Sequence, residues 1–259
     1  MNKIYLYLFS LLVFLIFPMK AQEGHDFFDP MDVFELEWAS DPQVSPDSKT
    51  IVYVRKSHDI MKDKVRSNIW QIKIDGEDHR PLYSELGNSY SPRWSPNQER
   101  LAFLSNNSGS TQIHMYWFKS GETRAITQLQ ESPSSLSWSP DGKWIAFTMN
   151  VKANSNAIVE SREKPEGASW AEKPITVTTT RYQYDGRGIV EPSYRHIFVV
   201  PAEGGSARQL TTGNFNHYGP LSWSSDSESI FFSAYRSDDW ELTSNEADIY
   251  KVQVNNKEI

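Results

Sequence analysis

Cysteine is absent from the 259 residues. No disulfide framework and no thiolate zinc site can form, although an exported compartment would permit disulfides, so stability has to come from packing. Blocks of Lys and Arg are missing too, and the net charge is −7. Without a basic stripe nothing supplies the footprint that a phosphate backbone demands, which excludes nucleic acid as a partner. No apolar run reaches the roughly 20 residues of a membrane span: the longest, Ile4 to Phe17, is about 14. With Lys3 ahead of it and Met19-Lys20-Ala21 behind it, that run reads as a secretory signal peptide over residues 1–21, cut after Ala21. Losing Lys3 and Lys20 takes the formal charge from −7 to −9. The expectation is an exported protein, periplasmic or secreted, with no stable membrane span after cleavage.

Catalytic signatures are equally sparse. A nucleophilic serine on an elbow needs Gly-x-Ser-x-Gly between strand and helix. The nearest approach, Gly87-Asn88-Ser89-Tyr90-Ser91, lacks the second glycine and runs into Pro92, so it reads as a loop serine. Of the six His, at positions 25, 58, 79, 114, 196 and 217, no two stand at the i, i+4 spacing of a helical zinc site. Asp238-Asp239 reads as solvated surface, since no Asp-x-Asp-x-Asp-Gly calcium loop surrounds it. Gly204-Gly205 lacks the Lys-Ser/Thr of a phosphate loop. The expectation is therefore no catalytic triad, no metal and no cofactor in this chain. Asn106-Asn107-Ser108 fits the short N-glycosylation pattern.

What is present is a globular composition, 38% hydrophobic and 13% aromatic with 13 Gly and 14 Pro scattered through it. Asp29-Pro30-Met31-Asp32 predicts a helix start, and a short helix to about Trp38, inside an N-terminal segment 22–43. From Val44 onward short Val, Ile, Tyr, Phe and Trp runs alternate with Ser, Asn, Asp, Gly and Pro, as many short antiparallel strands do.

One pattern recurs. Ser45-Pro46-Asp47-Ser48-Lys49 precedes Thr50-Ile51-Val52-Tyr53; Trp94-Ser95-Pro96-Asn97-Gln98-Glu99 precedes Arg100-Leu101-Ala102-Phe103; Trp138-Ser139-Pro140-Asp141-Gly142-Lys143 precedes Trp144-Ile145-Ala146-Phe147. A weaker copy runs from Trp223-Ser224-Ser225-Asp226 to Phe232. Steps of about 50, 44 and 85 residues between copies match propeller blades of four strands. Second halves follow the same order: Asn68 to Ile72, Gln112 to Tyr116, His196 to Val200 and Asp248 to Val252. In the turn, Pro presets one backbone angle, Asp or Asn bonds its own backbone, and Gly142 supplies the left-handed residue. Ser48, Gln98 and Ser227 replace that glycine, so their turns are expected to be strained or of another type. The Trp before three of the turns is expected to fill the wedge between neighbouring sheets.

The doubled third step marks an insertion at about 151–193, read as a long loop from one blade. Within it Arg181, Tyr182, Tyr184, Asp185 and Arg187 gather charge and aromatic rings beside glycines, a mixture suited to gripping a polar ligand or docking another domain. The plain alternative is a strand and turn on a blade edge.

The Ser-Pro-Asp-Gly-Lys copies, the Ile-Tyr/Trp/Phe strands and the Gly204 to Thr211 element resemble the propeller repeats of TolB and of the prolyl oligopeptidase family of serine peptidases. Trp38 to Arg55, Arg181 to Gly188 and Tyr235 to Asp239 are most similar to its exported acylaminoacyl-peptidase and dipeptidyl-peptidase-like branch. The resemblance implies an all-β propeller over residues 44–259, about four blades of a ring of seven or eight. It also implies an α/β-hydrolase domain beyond Ile259 that holds Ser, Asp and His, with the propeller gating short peptide substrates. A complete four-bladed ring is the structural alternative, and a free-standing TolB-like periplasmic binding module the functional one. Unpaired sheet edges at an incomplete ring would be an aggregation liability, so Ile259 is expected to be a truncation.

Overall fold

The computed structural model describes residues 28–153, 164–169, 177, 179–237, 239–242 and 246–255. The expected signal peptide lies outside the described residues, as do Asp238 and much of the expected insertion.

Asp29 caps a 3-10 helix, Pro30–Glu35: its carboxylate accepts from the Met31 N–H at 2.8 Å, while Asp32 accepts from the Asp29 N–H at 2.8 Å. The helix stops short of Trp38 because that residue is drawn into a strand, where it pairs with Lys56 and lies 5.2 Å from the His58 ring.

Four antiparallel sheets follow. The first is β1 (Glu37–Val44), β2 (Thr50–Asp59), β3 (Lys64–Lys73) and β4 (Arg80–Tyr83); the second is β5 (Ser89–Trp94), β6 (Arg100–Ser105), β7 (Gln112–Trp117) and β8 (Thr123–Ala125). In the third, β9 (Pro133–Trp138) and β10 (Trp144–Lys152) are followed by a separate hairpin, β11 (Gln183–Tyr184) and β12 (Gly188–Ile189), before β13 (Ser193–Pro201) and β14 (Arg208–Gln209) complete the sheet. Lys152 pairs with Ser193, so residues 153–192 form the connection between the two middle strands. The fourth has three described strands, β15 (His217–Trp223), β16 (Ser229–Ala234) and β17 (Asp248–Gln253). The first sheet thus takes its inner strand from Glu37, upstream of the boundary at residue 44 that the turn motif suggested. The turn marks the end of an inner strand, and the strand itself precedes it.

The repeated turn has one geometry in all four sheets. Ser139 donates its hydroxyl to Asp141 Oδ1 at 2.6 Å and accepts the Trp144 N–H at 2.9 Å, while Asp141 Oδ1 accepts the Lys143 N–H at 3.1 Å. Ser45, Ser95 and Ser224 repeat the relay with Asp47, Asn97 and Asp226. That relay fixes the turn so firmly that Ser48 (φ 60°), Gln98 (φ 51°) and Ser227 (φ 64°) adopt the left-handed conformation of Gly142 (φ 69°). No other turn type is used, so the strain expected of these three copies is present, at about 1 kcal/mol each. Two of the replacements are put to use. Gln98 Oε1 accepts the Asp47 N–H of the preceding sheet at 3.0 Å, and Ser227 Oγ accepts the Asp141 N–H at 3.1 Å.

Sheets pack in series: β1, β2 and β3 against β5, β5 and β6 against β9, and β9, β10 and β13 against β15. Among the described residues no comparable packing joins the fourth sheet to the first, as closure into a four-bladed ring would require. Each interface holds its own apolar layer, exemplified by Val52, Ile69, Leu101 and Phe103, then Leu104, Ile113, Ile145 and Phe147, then Ile197, Leu210, Ile230 and Phe232. The wedge tryptophans seal the inner ends. Trp94 Nε1 donates to Gln43 O at 3.1 Å, Trp138 Nε1 to Arg93 O at 3.0 Å and Trp223 Nε1 to Ser137 O at 3.3 Å, each reaching one sheet back. Arg93 adds an ion pair to Asp41 at 2.8 Å across the first interface.

Candidate functional site

Strand direction divides the molecule into two faces. The Ser-Pro-Asp turns and the turns after β3, β7 and β13 lie on one; the connections inside β2–β3, β6–β7, β10–β13 and β16–β17 lie on the other, with those between sheets. β2 and β10 run 10 and 9 residues against 6 in β6 and β16, and the extra pairs all extend toward this loop face.

Exposed large apolar side chains gather there. Leu36 and Trp38 enter β1, Ile60 and Met61 tip the β2–β3 hairpin with Met61 89% exposed, Leu86 is 94% exposed between the first two sheets, and Leu242 stands on the fourth. Tyr182, Tyr184 and Ile189 add the inserted hairpin. Toward the turn face Val44, Ile74 and, just past the fourth turn, Phe231 are comparable among the described residues.

The inserted hairpin closes through the Tyr184 O to Arg187 N–H bond at 3.1 Å and the Tyr182 O to Val190 N–H bond at 2.9 Å. Between it, the ends of β10 and β13 and the fourth sheet lies a cavity of about 280 Å³. Of the five residues singled out in the sequence, Arg181, Tyr184 and Arg187 line it. Tyr182 and Asp185 do not; both are exposed on the hairpin. Sequence reasoning missed Arg195, Tyr218 and Trp240, which complete the wall. Their signal was weak, since each is a single polar or aromatic residue at a strand end or in a loop, brought in by the packing of sheet four on sheet three.

Three local contacts brace the cavity. Lys152 Nζ pairs with Glu191 at 2.7 Å, which raises the lysine's pKa and lowers the glutamate's. Glu241 accepts the Thr180 N–H at 2.9 Å, tying the insertion to the fourth sheet. Tyr194 packs edge-on against Trp240, with ring centroids 6.1 Å apart, and partial burial together with the Glu241 charge raises its pKa.

Other candidates resolve into structure. Ser89 is fully buried with its hydroxyl 3.1 Å from Ser105 Oγ, so it is no exposed nucleophile. Asn106 Oδ1 accepts the Asn88 N–H at 2.7 Å, fastening the second sheet's loop. His196 and His217, 21 positions apart in sequence, lie with ring centroids 5.1 Å apart and planes tilted by 36° inside the third interface, and His114 is buried in the second sheet. Burial lowers all three pKa values, that of His196 to about 4 with help from His217 and Arg236. Among the described residues no three His, Asp or Glu side chains come together to hold a metal ion, and no helix is long and apolar enough to cross a membrane.

Residues 38–169 match the family model described as the TolB beta propeller domain, and residues 152–259 match that of the dipeptidyl peptidase IV N-terminal region. The chain is 30% identical over 204 residues to the uncharacterized peptidase YuxL of Bacillus subtilis, covering 78% of this chain and 30% of that protein. It is 25% identical over 135 residues to dipeptidyl-peptidase 5 of Porphyromonas gingivalis, covering 52% and 20%. Among solved structures, acylaminoacyl peptidase from Pyrococcus horikoshii superposes with a TM-score of 0.65 at 17% identity, over 87% of this chain and 32% of that one, a likeness of fold. The chain spans less than a third of the length of the curated relatives it matches.

Proposed function

Because this chain belongs to the TolB β-propeller domain family, we propose that it is the substrate-gating propeller of a longer exported serine peptidase acting on short peptides. The Ser, Asp and His of that enzyme lie in an α/β-hydrolase domain beyond Ile259. The observation that carries the reading is the apolar loop face: a solvent-facing surface rarely concentrates Met61, Leu86, Leu242 and the hairpin tyrosines on one side, and doing so suits a docked domain. Peptidase relatives more than three times as long as the matched region support a second domain of that kind. The apolar run Ile4 to Phe17 supports export.

In this account the propeller supplies no nucleophile. Its rigid sheets exclude folded chains, and the inserted hairpin presents Arg181, Tyr184 and Arg187 where a short peptide would pass toward the hydrolase domain. The match of residues 38–169 to the TolB domain favours a second reading, a free-standing periplasmic propeller that binds a protein partner on the same face. The coding sequence past Ile259 separates them. An open frame continuing through Gly-x-Ser-x-Gly and later Asp and His is expected, and a stop codon directly after Ile259 would overturn the peptidase reading.

A further inference from the structure

The cavity beneath the inserted hairpin is cationic in a protein whose net charge is −7. Arg181, Arg187 and Arg195 all line it, and among the described residues none of the three has a carboxylate within ion-pair distance. Of the two acids in the wall, Glu191 is paired with Lys152, while Glu241 accepts the Thr180 N–H and keeps its charge, so three guanidinium groups face one carboxylate that has no cation bound to it. Arg195 is the informative one. It is half-buried, its backbone N–H is fixed by Asn216 Oδ1 at 2.9 Å, and its guanidinium faces the Tyr218 ring at 5.8 Å. A guanidinium drawn partly out of water without a direct ion pair is left with unused donors, and its planar fork of donors matches a carboxylate. Tyr218 and Trp240 stand beside it with apolar bodies and polar tips. At about 280 Å³ the space is at the small end for ligand sites, fitting one end or one side chain of a peptide.

We propose that this cavity binds a peptide carboxylate, gripped by Arg195 with Arg181 and Arg187 in support, while Tyr218 and Trp240 flank the residue that bears it. The carboxylate comes either from a free C-terminus or from an Asp or Glu side chain. The ligand's being a peptide rests on the gating reading; the site's preference for an anion does not.

Calorimetric titration of the chain tests both parts, with four probes: N-acetylated tetra-alanine as free acid, the same peptide as C-terminal amide, an amidated peptide carrying one Glu, and succinate. The free acid or the Glu peptide is expected to bind about tenfold or more tighter than the uncharged amide, a difference of ~1.4 kcal/mol. Which of the two does so assigns the source. Arg195→Gln should erase the preference and Arg195→Lys should keep part of it; Arg187→Gln, on the exposed hairpin, gives a second variant if Arg195→Gln fails to fold. Equal binding of all three peptides would overturn the carboxylate preference and leave gating intact. Succinate bound in an Arg195-dependent way, with no peptide bound, would keep the anion site and overturn the peptide reading. Binding of none of the four overturns the inference.

Discussion

The turn face and the loop face are made from the same repeat and differ in almost everything else. On the turn face, Ser, Pro and Asp within six residues satisfy one another, and neighbouring turns are linked by Gln98 to Asp47 and Ser227 to Asp141. Arg100 extends the series, pairing with Glu203 at 2.6 Å and donating to Gly142 O at 3.2 Å. On the loop face the connections vary in length from sheet to sheet, and apolar and cationic side chains are left facing solvent. The lesson is a division of labour: a face whose polar groups are already satisfied by local partners has little left to offer a ligand, whereas the other face has unspent donors and uncovered apolar surface.

If the division holds, the largest stability effect belongs to the tryptophans that seal the inner ends. Trp138→Ala removes the wedge and its bond to Arg93 O, and should cost about 3 kcal/mol in chemical denaturation. A loss below about 1 kcal/mol would mean that the sheets are held elsewhere.

Acid should weaken the loop-side half, where the buried histidines lie. Burial places the folded pKa values of His114, His196 and His217 below the unfolded value near 6.5, so the folded state binds fewer protons. Stability is therefore full above about pH 6.5 and falls as pH drops toward 4, the folded value of His196. Melting temperatures measured between pH 7.5 and 4 check this, and His196→Gln with His217→Gln should flatten that part of the profile.

Turn strain gives a finer contrast. Ser48→Gly relieves a left-handed residue whose own side chain makes no described bond, and should stabilise by about 0.5 to 1 kcal/mol. Gln98→Gly relieves the same strain but loses the bond to Asp47, leaving a change near zero. Equal gains in the two would show that the link between turns contributes nothing. Smallest of all, Arg187→Ala on the exposed hairpin should change stability by less than about 0.5 kcal/mol, because its side chain is exposed.

These contrasts also explain what could be read from the sequence. The turns and their sheets were legible because Ser139, Pro140, Asp141 and Gly142 act within one local unit, and because the Trp recurs in register with it. The fate of Ser48, Gln98 and Ser227 was only half legible, since residue preference suggests another turn type and the Ser–Asp relay overrides it. Trp38 reads as the end of a helix and becomes strand because Lys56, eighteen positions on, supplies the pairing. The site was legible only in its hairpin. Arg181, Tyr184 and Arg187 cluster in sequence, while Arg195, Tyr218 and Trp240 reach them through the packing of two sheets, which no local pattern encodes.

The central claim, that function resides on the loop face, is tested most directly by peptidase kinetics on the full-length gene product carrying single substitutions Arg181→Ala, Tyr184→Ala and Asp185→Ala, with Lys49→Ala on the turn face as control. Arg181→Ala and Tyr184→Ala are expected to raise KM for short peptides several-fold, with Asp185→Ala smaller and Lys49→Ala silent. Unchanged kcat and KM in all three hairpin variants would contradict it.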